Sequence, residues 1–285
     1  MKSIRAGRGL GDSLYLQSVV RHLVARGEQL LVLSDYPDAF RGLNGQVGVA
    51  PFTRLGVDIV AHYTTRKGIP GTDQFEDCCL GAGIRDAVEL RLDWLTPAHT
   101  PVLDRVRQVA AGRPIVCLLL ARAPMGRTDG FGKELLPDCR VIQRAIDALE
   151  GCCIVQVGTG EPLHRFADVD LDLNGQTSVA DLIDVATISA GLLGYVSFFV
   201  PLAESLGKPA LMVWSSRGLR APQRFIRQIT PQKILHGKTC SYVVDDWAAD
   251  RVAGVVDEFR LKVAGGLDVH RQVGGDRRER AGVAA

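Results

Sequence analysis

The chain has 285 residues, 46% of them hydrophobic and 23% charged, with a formal net charge of +2. That length suits two α/β lobes better than one compact domain, and the apolar fraction is enough for a sizeable core. No apolar run follows a charged start and no stretch approaches the roughly 20 apolar residues of a membrane span, so a cytoplasmic protein without a transmembrane segment is expected. Seven cysteines (Cys78, Cys79, Cys117, Cys139, Cys152, Cys153 and Cys240) include two vicinal pairs and no C-x-x-C, and the six histidines are scattered. Buried, reduced thiols are expected, with no zinc or redox site.

In chain order, a short strand or loop ends in Arg5-Ala6-Gly7-Arg8-Gly9-Leu10-Gly11, and a helix follows over about 12–25. Asp12 or Ser13 can cap it, and Leu14, Leu16, Val19, Val20, Leu23 and Val24 supply an apolar stripe. Gly27 closes the helix, and the apolar run 29–34 reads as a parallel strand. A further strand is expected at 57–62, an irregular loop at 64–77, and a helix at about 83–92. The turn residues Ala111-Gly112-Arg113-Pro114 mark an inter-lobe hinge ahead of the most apolar strand, 115–120. A long loop at 121–137, a helix at 140–149, a strand at 152–157 and a loop at 158–163 come next. The short segment 170–173 precedes a capped helix from Ser178, a strand at 191–195, a helix near 200–206, a strand at 210–214 and a helix after Trp247. This alternation predicts an α/β fold with a parallel doubly wound sheet in each of two lobes, 1–112 and 113–265, and a disordered tail at 266–285.

The segment Gly9-Leu10-Gly11-Asp12 sits where a strand hands over to a helix. Glycines let the backbone approach a ligand, and the first helical amides point outward as donors. The helix dipole stabilises a carboxylate there by about 0.3–1 kcal/mol, favouring its ionised form. These residues alone leave Asp12 either a helix cap or a base. Gly7-x-Gly9-x-Gly11 lacks the G-x-G-x-x-G spacing of a dinucleotide site, although Asp35 ends the next strand where a ribose-binding acid belongs. A nicotinamide, flavin or S-adenosylmethionine enzyme is therefore the alternative at this turn.

Gly9-Leu10-Gly11-Asp12-Ser13-Leu14, followed by an apolar helix, resembles the opening of the heptosyltransferase-type glycosyltransferase family 9, where "(I/L)-G-D" precedes the first helix. The resemblance implies a GT-B fold: two Rossmann-like doubly wound lobes facing a central cleft, the first for the acceptor and the second for a nucleotide-sugar donor. It also implies that Asp12, beside Gly11, is the base that deprotonates the acceptor hydroxyl as it attacks the anomeric carbon. Transfer would be inverting and metal-independent, with a nucleotide-sugar co-substrate and no other cofactor. General-base help of this kind is worth about 10²–10⁴-fold.

In the second lobe, the loop 121–137 carries Arg122, Arg127, Thr128 and Lys133 among glycines, a composition suited to a diphosphate leaving group. Lys133-x-x-x-Pro137 is similar to the family's "K-x-W-P" without its Trp and one residue longer. Val155-Gln156-Val157-Gly158-Thr159-Gly160-Glu161 resembles the family's strand and glycine loop, which makes Gly158, Thr159 and Glu161 donor contacts, Glu161 at the ribose. Asp172-Leu173-Asn174-Gly175-Gln176-Thr177-Ser178-Val179-Ala180-Asp181-Leu182 resembles "D-L-x-G-x-T-S-x-x-E-L" and can also be a capping box. The segment 194–209 resembles "N-D-T-G-x-x-H-x-A-x-x-L-G-x-P", matching at Leu202-Ala203 and at Leu206-Gly207-Lys208-Pro209. Ser197 stands where the threonine contacts phosphate and Phe198 replaces the glycine. Val196 replaces the aspartate and Pro201 the histidine, which argues against heptose as the donor sugar.

Between 217 and 238, Arg217, Arg220, Arg224, Arg227, Lys233, His236 and Lys238 stand with almost no acid around Phe225. They are a solvated face or a groove for a polyanion: diphosphate, a phosphorylated glycolipid, or DNA. The acceptor is accordingly a saccharide, a glycolipid, or a hydroxymethylated base as in phage-type DNA, the last requiring the base to be flipped out. The alternative within the same fold is a non-catalytic nucleotide-sugar-binding protein.

Overall fold

The computed structural model describes residues 1–43, 45–63, 73–120, 136–158, 164–220, 230–235 and 239–279, with the backbone alone for 266–279. It has two parallel sheets. The first contains β1 (Lys2–Arg5), β2 (Leu30–Leu33), β3 (Gly48–Ala50) and β4 (Ile59–Val60), in the order β3-β2-β1-β4. The second contains β5 (Ile115–Leu119), β6 (Cys153–Val157), β7 (Leu171–Asp172), β8 (Gly191–Tyr195), β9 (Ala210–Trp214) and β10 (Cys240–Val244), in the order β10-β9-β8-β5-β6-β7. From β5 the chain runs outward to one edge, returns to the centre at β8 and runs to the other edge, the doubly wound order of a nucleotide-binding sheet. The first sheet repeats the same opening, so each sheet has a switch point, β1/β4 and β5/β8. There neighbouring connections part, and ligands bind at the carboxyl ends of the strands. β5, β6, β8 and β9 are almost wholly buried, as their unbroken apolar runs require of strands covered on both faces.

The helices are α1 (Leu10–Ala25), α2 (Gln74–Gly81), α3 (Pro101–Ala110), α4 (Cys139–Asp147), α5 (Val179–Ile188), α6 (Phe199–Leu206), α7 (Ser216–Arg220), α8 (Pro231–Ile234) and α9 (Ala249–Glu279), with a 3-10 helix at Pro37–Leu43. Ser178 caps α5 by accepting from Asp181 N, while Asp181 accepts from Ser178 N, so the matched segment 172–182 does structural work here. α9 packs on β9, β10 and α4 through Val252, Val256, Phe259 and Val263. Its backbone stays helical to Glu279, into the segment read from composition as a tail. Among the described residues no helix is long and apolar enough to cross a membrane. All seven cysteines are free thiols, buried or half-buried.

Three local expectations change. The loop read at 64–77 ends early: Asp73 accepts from Glu76 N and Glu76 reaches back to Asp73 N, a full capping box that starts α2. The helix expected at 83–92 is absent. That segment is irregular, because side chains of α1 take its backbone groups: Ser18 Oγ donates to Arg91 O and accepts from Arg91 N, Gln17 Nε2 donates to Asp93 O, and Arg21 donates to Glu89 O. Leu92 N donates to Ser205 O of α6, tying the segment to the second lobe. Finally α3, capped by Thr100 with Pro101 in its first turn, forms ahead of the expected hinge and packs on α5 and β6.

Candidate active site

β1 ends in a glycine-punctuated turn that delivers α1, and Gly9 is the residue before its first turn. Gly9 has no side chain to offer the helix amides. Asp12, three residues on, supplies the return half of a capping box: its Oδ2 accepts from Gly9 N at 3.0 Å. Its other oxygen, Oδ1, lies 3.4 Å from His62 Nε2. His62 follows β4, the strand beside β1, so both groups sit at the carboxyl edge of the first sheet's switch point. The His62 ring stacks on Tyr63, with centroids 4.3 Å apart.

Gly7 makes this pairing possible. A Cβ there would overlap Asp12 Oδ2 and stand 2.6 Å from His62 Nε2. Gly11 serves the other side: a Cβ there would come within 3.3 Å of Phe198 Cα and 3.4 Å of Pro201 Cγ, on α6 and the turn before it. The two lobes thus meet closely beside Asp12, where α1 packs on α6.

A cleft opens at this meeting point, lined from the first lobe by Gly11, Asp12, Tyr15, Tyr63 and Gln74 and from the second by Ser197, Phe198, Pro201 and Ile234. The described residues enclose about 140 Å³, room for a reacting ring rather than for a whole nucleotide sugar. Burial pushes the Tyr15 and Tyr63 hydroxyls and the Cys78 thiol up, and the nearby Asp12 carboxylate adds to each shift. All three stay protonated and neutral near physiological pH. Among the described residues His62 is the only basic group within 4 Å of the Asp12 carboxylate. Among the described residues, no group of three or more His, Cys, Asp or Glu is placed to hold a metal ion.

The structure therefore brings together Gly11, Asp12, Ser197 and Phe198 of the residues expected from sequence. Ser197 ends the turn after β8, at the second switch point. Its hydroxyl accepts from Phe199 N at 3.2 Å and its carbonyl from Val200 N, and Pro201 has no N–H, so the start of α6 has few free donors. Val196 is buried at 5% exposure, an apolar wall where the family motif has a carboxylate. Gly158 closes β6 away from this cleft, and its carbonyl accepts from Gly175 N. Arg127, Lys133, Thr159, Glu161, Arg224 and Arg227 lie outside the described residues.

The described part of the basic strip is not acid-free. Arg220 is paired with Asp246 at 2.7 Å, and Arg217 donates to Leu136 O. Lys233 lies on α8. Asp35 is equally occupied: Arg8 donates to its Oδ2 at 2.6 Å and Phe52 N to its Oδ1, and the Arg8 guanidinium holds its pKa below the usual carboxylate range.

Sequence reasoning missed His62, Tyr15 and Tyr63 as site residues. Tyr15 stands one turn after Asp12 on the inward face of α1, so helical spacing from Asp12 could have found it. His62 and Tyr63 have no local signal, since only the β1–β4 pairing brings them to the turn.

No protein-family model matches the sequence, and no curated protein matches it. Solved structures do match in fold. A family 9 glycosyltransferase from Veillonella parvula superposes with a TM-score of 0.58 at 9% identity, covering 92% of this chain and 97% of its own. The ADP-heptose lipopolysaccharide heptosyltransferase II of E. coli gives 0.50 at 14%, covering 92% and 99%. A protein of Listeria monocytogenes described as a candidate UDP-N-acetylglucosamine 2-epimerase gives 0.50 at 11%, covering 93% and 90%. Fold and sequence motifs thus converge: this chain has the GT-B fold, in the form shared by a family 9 glycosyltransferase and a heptosyltransferase.

Proposed function

We propose that the protein is a glycosyltransferase that moves a sugar from a nucleotide-sugar donor to an acceptor hydroxyl, by inverting and metal-independent transfer. The observation that carries this reading is the Asp12 carboxylate, held at the first switch point and facing Ser197 and Phe198 across the inter-lobe cleft. An acceptor in the first lobe would present its hydroxyl to Asp12. Its oxygen attacks the anomeric carbon and forms the new C–O bond. The bond from that carbon to the diphosphate oxygen breaks, its electron pair leaves with the diphosphate, and the hydroxyl proton passes to Asp12. The leaving charge is met from the second lobe by Ser197, Arg127 and Lys133, while Gly158, Thr159 and Glu161 hold the donor, Glu161 at the ribose, all in roles that rest on the sequence motifs.

A dinucleotide or S-adenosylmethionine site at this turn is disfavoured by the same geometry. A pyrophosphate needs the first amides of α1, and the Asp12 carboxylate already takes Gly9 N and puts a negative charge there. Asp35, the candidate ribose acid, has both oxygens engaged. The pairing of Arg220 with Asp246 favours a saccharide or glycolipid over DNA as acceptor. Purely binding function draws support from the few free donors at the start of α6.

Thermal-shift measurements against ADP-, UDP- and GDP-sugars, NAD and S-adenosylmethionine test this reading. A ligand at 100 times its Kd stabilises by about 2.7 kcal/mol, a readable shift. Stabilisation by a nucleotide sugar, with nucleoside diphosphate release that rises on adding saccharide acceptors, is expected. Stabilisation by NAD or S-adenosylmethionine alone would overturn it, and donor binding without release would leave a binding protein.

A further inference from the structure

Asp12 is a half-buried carboxylate with two partners of different kinds. Gly9 N–H fixes Oδ2 and cannot give up or take a proton, whereas the imidazole beside Oδ1 can do both. The two side chains are 16% and 14% exposed, so water meets only a small part of either. They arrive from adjacent strand ends and face one another across the space that Gly7 leaves empty. No lysine or arginine is among the described residues that line the cleft.

We propose that His62 is the proton partner of Asp12, a positioning residue that orients the carboxylate through Oδ1 and takes up the proton Asp12 removes from the acceptor. This rests on the transferase reading above. In the step, Asp12 receives the hydroxyl proton as the C–O bond forms. The proton then crosses from Oδ1 to Nε2 of a neutral His62, and the imidazolium beside a restored carboxylate loses it to solvent. A carboxylate alone in this cleft would have to release its proton directly past the bound sugar.

Asp12 lies beside the His62 ring and Tyr63 stacks on it; Tyr15 on α1, Tyr63 and Cys78 on α2 all feel the Asp12 carboxylate, and Tyr15 also feels Asp73 at the start of α2. Tyr15, Tyr63 and Cys78 stay neutral, and Asp73 is committed to its capping box. That leaves Asp12 and His62 as the pair in this cluster through which a proton can pass. A protonated His62 cannot accept, so protonating it should lower activity.

Two measurements test this. In protein labelled with 13C-histidine, the His62 ring signals at fixed pH should move between wild type and Asp12→Asn more than those of histidines remote from Asp12. Unmoved His62 signals overturn the pairing. In nucleoside diphosphate release from whichever nucleotide sugar stabilises the protein, His62→Gln should keep KM for the donor. It should lower kcat about tenfold or more and move the acidic limb of the pH profile to lower pH. His62→Gln with wild-type kcat and an unmoved acidic limb overturns the proton role while leaving the transferase reading intact. If wild type releases no nucleoside diphosphate from any donor, that reading fails, and the histidine signals decide the pairing by themselves.

Discussion

At the residue scale the site depends on what is absent from Gly7 as much as on what Asp12 carries. Gly7→Ala places a methyl group between the Asp12 carboxylate and the His62 imidazole, and neither can retreat without losing Gly9 N or the Tyr63 stack. We expect the variant to fold with a loss of about 1–3 kcal/mol in stability, typical of overpacking, and to lose nearly all turnover. Denaturant titration with donor-release kinetics checks both, and near-normal kcat would show that the pair is not needed. Asp12 itself was legible in the sequence because a glycine-rich strand-to-helix turn is a local pattern. His62 was not, because its partnership exists only through the alignment of two strands 55 or more residues apart along the chain.

At the element scale, one tie between the lobes is Trp94, whose indole N–H donates to Asp184 Oδ1 on α5 at 2.6 Å while Arg41 lies over its ring. Burial raises the Asp184 pKa, against the opposing effects of the Trp94 hydrogen bond and Arg41. A carboxyl group whose folded pKa is raised stabilises the fold most when protonated. Its contribution is full below the ordinary carboxylate value and is lost as pH rises through the raised one. Asp184→Asn keeps an acceptor for Trp94 and removes the charge, so its melting temperature at neutral pH should equal or exceed wild type, with a flatter pH dependence above the carboxylate range. Asp184→Leu strands the indole N–H and should cost about 1–3 kcal/mol. A clearly destabilised Asn variant would mean that the charge, through Arg41, holds the joint. The irregular segment leading to Trp94 was read as a helix because its local sequence carries no trace of the α1 side chains that take its backbone groups. α2 and α3, in contrast, had legible starts in Asp73-x-x-Glu76 and Thr100-Pro101, signals outweighed by the glycines before one and the turn after the other.

At the scale of the whole molecule, the strand orders decide where chemistry can occur. Both switch points open on one cleft, while α9 packs beside the start of β8, where Phe259 meets Gly191 at the opposite end of the strands. Phe259→Ala should therefore cost about 3–5 kcal/mol in thermal or chemical denaturation, with donor affinity little changed in the fraction that remains folded. A loss of affinity without a loss of stability would contradict that separation. The two-lobed parallel architecture was legible because buried parallel strands read as short apolar runs at regular intervals. The site residues expected in the second lobe were less so, since several of them lie outside the described residues. The central claim is that Asp12 is a base in sugar transfer and not merely a cap on α1. Its most direct test is Asp12→Asn, measured for donor binding by thermal shift and for transfer by nucleoside diphosphate release with saccharide and hydroxymethylated-DNA acceptors. The account predicts an unchanged donor shift with release reduced about 10²-fold or more; near-wild-type release would contradict it.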